Sequence, residues 1–142
     1  MKRKPSGTDF LLAALSALTL IGALTFFKTC GPREDGFWMN CHWANQAVTG
    51  LAAVMTVLSI VRFFLGDGEK IGLDISQIAL AVLTAALPGN LISLCGMETM
   101  RCHTVFQPAA LVFSVLTAAA ALADAILRGR KQASRQRRTE PK

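Results

Sequence analysis

Four long apolar runs, each without a charged residue, dominate this chain of 142 residues. The runs contain 18, 19, 20 and 20 residues. A helix needs roughly 20 residues to cross the ~30 Å hydrocarbon core of a bilayer. Each run is therefore long enough to span a membrane as a helix. In order, they are residues 10–27, 43–61, 75–94 and 104–123.

The composition excludes a water-soluble domain, because 52% of the residues are hydrophobic and only 17% are charged, against roughly a quarter in soluble proteins. The sequence predicts an all-α fold, an integral membrane four-helix bundle. We expect its helices at about 10–27, 43–65, 71–94 and 104–127. Residues 128–142 are polar and repel one another, so they are predicted to form a disordered basic tail.

The distribution of basic residues predicts the orientation. Of the 15 Lys and Arg residues, 12 lie in the amino terminus, the middle loop and the carboxyl tail. Because basic residues concentrate on the cytoplasmic side of membranes, both termini are predicted to be cytoplasmic in a multi-pass protein of the bacterial cytoplasmic membrane. The net charge of +6 is then explained by anionic lipid, and no nucleic-acid partner is expected.

An internal repeat marks the two loops predicted on the outer face. One pattern occurs twice: a Cys-Gly pair, a turn of variable length and then Met-x-Cys-His-x-x-x-Gln. The two copies of Met-x-Cys-His-x-x-x-Gln are 61 residues apart. The sequence therefore predicts two parallel helical-hairpin repeats whose tips face each other. The first copy contributes Cys30, Met39, Cys41, His42 and Gln46, and the second contributes Cys95, Met100, Cys102, His103 and Gln107.

These motifs resemble those of a family of small bacterial four-helix membrane proteins known only as a domain of unknown function. The resemblance rests on the stretch from Cys30 to Trp43, on Cys95-Gly96 and on Met100-Arg101-Cys102-His103. It covers nearly the whole chain apart from the basic tail. It implies no established activity, but it implies an accessory role beside ABC transporter permeases with large extracellular domains.

The simplest interpretation of the cysteines is a pair of structural disulfides. Cys30 and Cys41 bracket one outer loop, and Cys95 and Cys102 bracket the other. The outer face of a bacterial membrane is oxidising enough for such bonds to persist. Closing loops this short stabilises a fold by about 2–4 kcal/mol.

A metal or haem site is the second interpretation. With oxidised cysteines, the remaining ligands are His42, His103, Met39 and Met100, a set that suits copper(I) or haem iron. Two further side chains, Gln46 and Gln107, lie four residues after the histidines and could orient their imidazoles. The cofactor itself is left open by the sequence.

Two other functions remain open. The layout of four helices and two cysteine-bearing loops is similar to that of quinone-linked thiol–disulfide oxidoreductases, although ten and six residues separate the cysteines here instead of two. Alternatively, the protein is a partner subunit: abundant small residues in helices two and four favour close helix packing, either within the bundle itself or against a permease or a second copy of the chain. The sequence favours the accessory subunit over an enzyme.

Three polar residues near the predicted cytoplasmic ends of helices three and four are Asp74, Gln77 and Asp124. Ionisable groups inside a membrane can form a proton path, but the shallow depth favours solvated helix termini. Pro88 in the third run predicts either an early helix end or a kink beside a cavity.

Overall fold

The computed structural model of the protein describes residues 6–27, 34–94, 96, 99 and 101–139. Within these ranges the protein is all-helical and has no β-strand, which confirms the predicted class. A π-helical turn at Cys102–Phe106 precedes the last helix. The helices are α1 (Gly7–Leu24), α2 (Asn40–Val61), α3 (Asp67–Ala86) and α4 (Gln107–Thr139).

The helices pack as two neighbouring pairs. Contacts are most extensive between α3 and α4 and between α1 and α2, and further contacts join α1 to α4 and α2 to α3. A small apolar core of Ala23, Ala44, Val48 and Phe106 joins the end of α1 to the beginnings of α2 and α4. The α2 and α4 helices therefore begin at the same end of the bundle.

The bundle places polar side chains inside and apolar side chains outside. Thirteen polar or charged residues are buried among those the structure describes, while large apolar side chains such as Leu18, Val57, Val82 and Leu116 are about half exposed on the four helices. Water would penalise this arrangement, whereas lipid favours it, because hydrocarbon solvates apolar surface and offers polar groups no partner. The arrangement indicates contact with a lipid bilayer.

Within the part of the chain that the structure describes, three helical segments are long and apolar enough to cross a membrane: α1, α2 and the segment Cys102–Ser134. The α3 helix, which the sequence predicts as another span, is not among them. Its buried stripe is polar, with Lys70, Asp74, Gln77 and Thr84, while Ile75 on its other side is 62% exposed. The polar character of α3 thus comes from buried side chains that face the other helices and from exposed residues such as Glu69.

The α1 helix begins at Gly7, three residues before its predicted start, because a polar cap precedes the apolar run. The backbone N–H of Ser6 donates to Oδ2 of Asp9 at 3.0 Å. At the other end, the backbone N–H of Phe27 donates to the carbonyl of Gly22 at 2.8 Å. The Phe27 ring then lies so close to Gly22 that a Cβ there would be 2.4 Å from Cε2.

The α3 helix ends at Ala86, eight residues before its predicted end at residue 94. Pro88 has no backbone N–H and cannot continue the hydrogen-bond ladder. The chain reverses through Gly89 at φ 92°, a conformation that favours glycine. The N–H of Leu91 then closes the end of the helix by donating to the carbonyl of Ala86 at 3.1 Å. Of the two interpretations of Pro88, the early helix end is the one observed.

The α4 helix continues to Thr139, where the sequence predicts a disordered tail from residue 128. A physical reason lies in α3, which supports the extension. A Cβ at Gly68 would lie 3.3 Å from Nε2 of Gln132, so the beginning of α3 packs beside this part of α4. The extension is also tied to the bundle through Arg128, which is buried.

Candidate functional site: a buried ionic cluster

Among the described residues, six charged side chains meet at one end of the bundle, where α1 and α3 begin and α2 ends. All have side chains no more than 9% exposed. Each of the four helices or its cap contributes at least one of them. We call this group the ionic cluster: Asp9, Arg62, Lys70, Asp74, Asp124 and Arg128.

Arg62, the residue that caps the end of α2, lies at the centre of the ionic cluster. Its Nε donates to Oδ1 of Asp9 at 2.6 Å. Its Nη1 donates to Oδ1 of Asp74, and its Nη2 forms an ion pair with Oδ2 of Asp124. The fixed fork of a guanidinium suits such simultaneous recognition, which a lysine could not reproduce. One side chain thereby links α2 to the three other helices.

Two more cations complete the ionic cluster. Nζ of Lys70 lies 2.9 Å from Oδ2 of Asp9. Arg128 places Nη2 3.0 Å from Oδ1 of Asp9 and Nε 2.8 Å from Oδ2 of Asp124. With all groups ionised, three carboxylates balance three cations. This balance is what allows so many charges to be buried together, because a buried charge without a partner is strongly destabilising.

Helical spacing positions these side chains. Lys70 and Asp74 are four residues apart on α3, as are Asp124 and Arg128 on α4, and residues at this spacing share a helix face. An uncharged side chain adds a hydrogen bond to this arrangement: the hydroxyl of Thr8 donates to Oδ1 of Asp124 at 2.9 Å.

A line of hydrogen-bonded polar groups begins one turn from the ionic cluster and leads toward the middle of the bundle. Nε2 of Gln77 donates to Oγ of Ser59 at 2.8 Å and to the carbonyl of Met55 at 3.1 Å. The hydroxyls of Ser59 and Ser16 are 3.2 Å apart. We call Gln77, Ser59 and Ser16 the polar line. It joins α3, α2 and α1 at a depth where soluble proteins would have an apolar core.

Two oxygen atoms next to these contacts have no hydrogen-bond donor among the described residues. They are Oδ2 of Asp74 and Oε1 of Gln77. Both residues are almost fully buried, at 0% and 1% exposure. They are three residues apart on the same buried stripe of α3. Unpaired buried acceptors are rare and costly, so this position calls for a donor.

The prediction of solvated helix termini for Asp74, Gln77 and Asp124 is wrong. Asp124 is only 3% exposed, and the other two are buried more completely. The reason is that Arg62 and Lys70, which the sequence places in a solvated loop, turn inward and neutralise the carboxylates. The four-residue spacing of opposite charges on α3 and α4 was the available signal. Nothing in the sequence shows that both pairs meet Arg62.

The other end of the bundle carries the described part of the repeated motif. Cys41 and Cys102 are both completely buried, in the first turn of α2 and in the π-helical turn. Ala44 and Phe106, which follow them by about one turn, pack in the same apolar core. The beginnings of these two helical segments thus lie at one end of the bundle. Three predicted site residues lie outside the described residues: Cys30, Cys95 and Met100.

The first histidine of the motif lies between two indoles. The His42 ring stacks on Trp38 with ring centroids 4.0 Å apart and meets the edge of Trp43 at 5.7 Å. Met39 precedes α2 as its N-terminal cap residue. This arrangement resembles the aromatic belts that anchor proteins at a membrane–water interface.

The second copy has different surroundings. His103 is half-buried in the π-helical turn. The amide of Gln107 lies against the Pro88–Gly89 turn, where a Cβ at Gly89 would be 2.8 Å from Nε2. In the first copy, Gln46 is exposed on the surface of α2. The two glutamines therefore differ in environment.

Comparison with known proteins gives a family without a function. No curated protein and no solved structure gives a significant match. A family model described as a domain of unknown function, DUF4418, matches residues 12–127. The match includes Arg62, Lys70, Asp74 and Asp124 of the ionic cluster. The chain belongs to this family, the domain of unknown function DUF4418.

Proposed function

We propose that the protein is an accessory subunit of a membrane transport system, and that α2 packs against a transmembrane helix of a larger partner such as an ABC transporter permease. The observation that carries this proposal is an exposed strip of α2, within residues 50–61, that carries only glycine and valine. Val54, Val57 and Val61 on this face are 49%, 58% and 41% exposed. We call Gly50, Val54, Val57 and Val61 the valine face; their spacing places them along one side of the helix.

Gly50 is the key position of the valine face. A Cβ at Gly50 would meet no atom within 4 Å, so the bundle does not use the absence of a side chain there. Other small residues of α2 and α1 do serve the interior, since Ala52 is completely buried and Gly22 is covered by Phe27. In lipid, small residues let two helix backbones approach closely, which is how membrane helices gain packing energy.

The test is purification of the tagged protein from its native membranes in mild detergent. We expect the wild-type protein in a complex larger than itself, and Gly50→Leu running alone. The matched control is Gly72→Leu, because Gly72 is also exposed and a Cβ there would meet no atom within 4 Å. A wild-type protein that migrates alone contradicts the proposal. A complex that contains only copies of this chain would contradict a different partner protein and would show self-association instead.

We further propose that the bundle lies in the bacterial cytoplasmic membrane with the ionic cluster near the cytoplasmic side. The support is that α4 carries exposed basic residues beyond this end, including Arg130 and Lys131. The motif loops would then face outward as tips of two repeated hairpins. Labelling of a single cysteine introduced at exposed Asp35, in a background without native cysteines, tests this orientation. Labelling only from the cytoplasmic side would contradict it.

The cysteines are proposed to form structural disulfides in the outward loops. Complete burial of Cys41 and Cys102 supports a structural role, because reactive cysteines need solvent access and the quinone-linked redox function requires such reactivity. Mass spectrometry of alkylated protein before and after reduction decides this question. Four alkylated thiols without reduction would contradict the disulfides and favour cysteine ligation of a metal. The other proposal for this end of the bundle is a haem or copper site at His42, His103, Met39 and Met100. An absorbance spectrum of the purified protein, together with metal analysis, tests it.

A further inference from the structure

We propose that Asp74 and Gln77 form a protonation site inside the bundle, in which Asp74 takes up a proton on Oδ2 and donates the resulting O–H to Oε1 of Gln77. The proposal rests on two buried oxygen atoms without a donor. It does not depend on the accessory role proposed above, since it concerns the interior of the bundle and not its lipid-facing surface.

One proton can satisfy both oxygen atoms. A carboxylate and an amide oxygen only accept hydrogen bonds, so Oδ2 of Asp74 and Oε1 of Gln77 cannot pair with each other while both lack a proton. A protonated carboxyl group, in contrast, has one O–H to donate. Oδ1 of Asp74 is already occupied by Nη1 of Arg62, which leaves Oδ2 as the atom to be protonated. Nε2 of Gln77 is held by Ser59 and Met55, which fixes Oε1 as the free acceptor.

The charged surroundings of Asp74 make this step feasible. The groups that face it are Asp9 from α1, Arg62 at the end of α2, Lys70 on its own helix, and Asp124 and Arg128 from α4. Asp9 has three cationic partners and Asp124 has two, whereas Arg62 is the cation bonded to Asp74 among the described residues. Among the three carboxylates, Asp74 thus loses the least when it becomes neutral.

The proton balance is simple. A proton from water at the end of the bundle forms the O–H bond on Oδ2, and the N–H of Arg62 stays bonded to Oδ1. The charge of the ionic cluster then changes from zero to +1. Release of the proton restores the balance and leaves both oxygen atoms unpaired again. The site thereby converts a change in pH into a change of charge and of hydrogen bonding where the four helices meet.

The experiment is infrared difference spectroscopy of the purified full-length protein in lipid, recorded while the pH is varied. A protonated carboxyl group gives a C=O stretching band that a carboxylate lacks. We expect such a band in the wild-type protein, with loss on raising the pH. Asp74→Asn should abolish it. The matched control Asp35→Asn removes an exposed acidic residue outside the bundle and should leave the band unchanged.

A second variant keeps the test decisive if Asp74→Asn does not fold. Gln77→Leu removes the acceptor of the proposed O–H bond, so the band should shift to higher frequency without vanishing. The proposal is overturned if the wild-type protein gives no protonated carboxyl band at any pH at which it remains folded. It is also overturned if the band persists in folded Asp74→Asn, or if Gln77→Leu leaves its frequency unchanged.

Discussion

Nε of Arg62 donates to Oδ1 of Asp9 at 2.6 Å, and this contact joins two residues that are 53 positions apart in the chain. It ties the end of α2 to the first turn of α1. Because the same guanidinium also pairs with carboxylates of α3 and α4, one side chain connects all four helices. We therefore expect Arg62 to contribute most to the stability of the end of the bundle that holds the ionic cluster.

Replacement of Arg62 by leucine should destabilise the fold by about 3–5 kcal/mol, because buried carboxylates lose their shared partner. The measurement is thermal unfolding in detergent, followed by circular dichroism. Arg130→Leu is the control, since Arg130 is exposed on α4 and should change stability by less than about 0.5 kcal/mol. Equal unfolding temperatures for the two variants would contradict the central role of Arg62.

The substitution Lys70→Met should destabilise the fold less than Arg62→Leu does. Lys70 contacts only Asp9 within the described ionic cluster, and Asp9 keeps Arg62 and Arg128 as partners. The methionine preserves most of the apolar stem. The expected order of unfolding temperatures is wild type, then Lys70→Met, then Arg62→Leu. If the Lys70 variant is as unstable as the Arg62 variant, the equal number of cations and carboxylates stabilises the ionic cluster more than the hydrogen-bond geometry of Arg62 does.

Gly22→Ala should destabilise the protein by about 1–3 kcal/mol through overpacking, because the new Cβ would lie 2.4 Å from Cε2 of Phe27. The Phe27 ring would have to leave its place against the apolar core. Gly50→Ala, where a Cβ meets no atom within 4 Å, is the matched control. It should be neutral or stabilising by up to about 1 kcal/mol, because alanine favours a helix. Chemical unfolding in detergent compares the two variants.

Gly89→Ala should destabilise the turn after α3 by roughly 1–3 kcal/mol. Gly89 has φ 92°, where a side chain is strained, and its Cβ would lie 2.8 Å from Nε2 of Gln107. Gly89→Ala/Gln107→Ala should recover the part of the loss due to the clash and leave the part due to φ. Hydrogen exchange of the end of α3 would report the effect locally. Full recovery in the double variant would contradict backbone strain.

The sequence alone determined the all-helical class of the protein and the presence of long apolar helices. Each depends on local information: the length of apolar runs and the periodicity of a helix. Pro88 indicated an early end of α3 as one of two alternatives, and the structure shows that end at Ala86.

Only the tertiary structure decided what the charged residues do. The sequence predicts Asp74 and Asp124 as solvated helix ends and Arg62 as a loop residue. The four-residue spacings to Lys70 and Arg128 do not show that both carboxylates meet Arg62. Burial of such charges becomes favourable only when carboxylates from α1, α3 and α4 meet one guanidinium at hydrogen-bond distance. Such neutralisation is a property of the assembled bundle, because no single helix contains all of these groups.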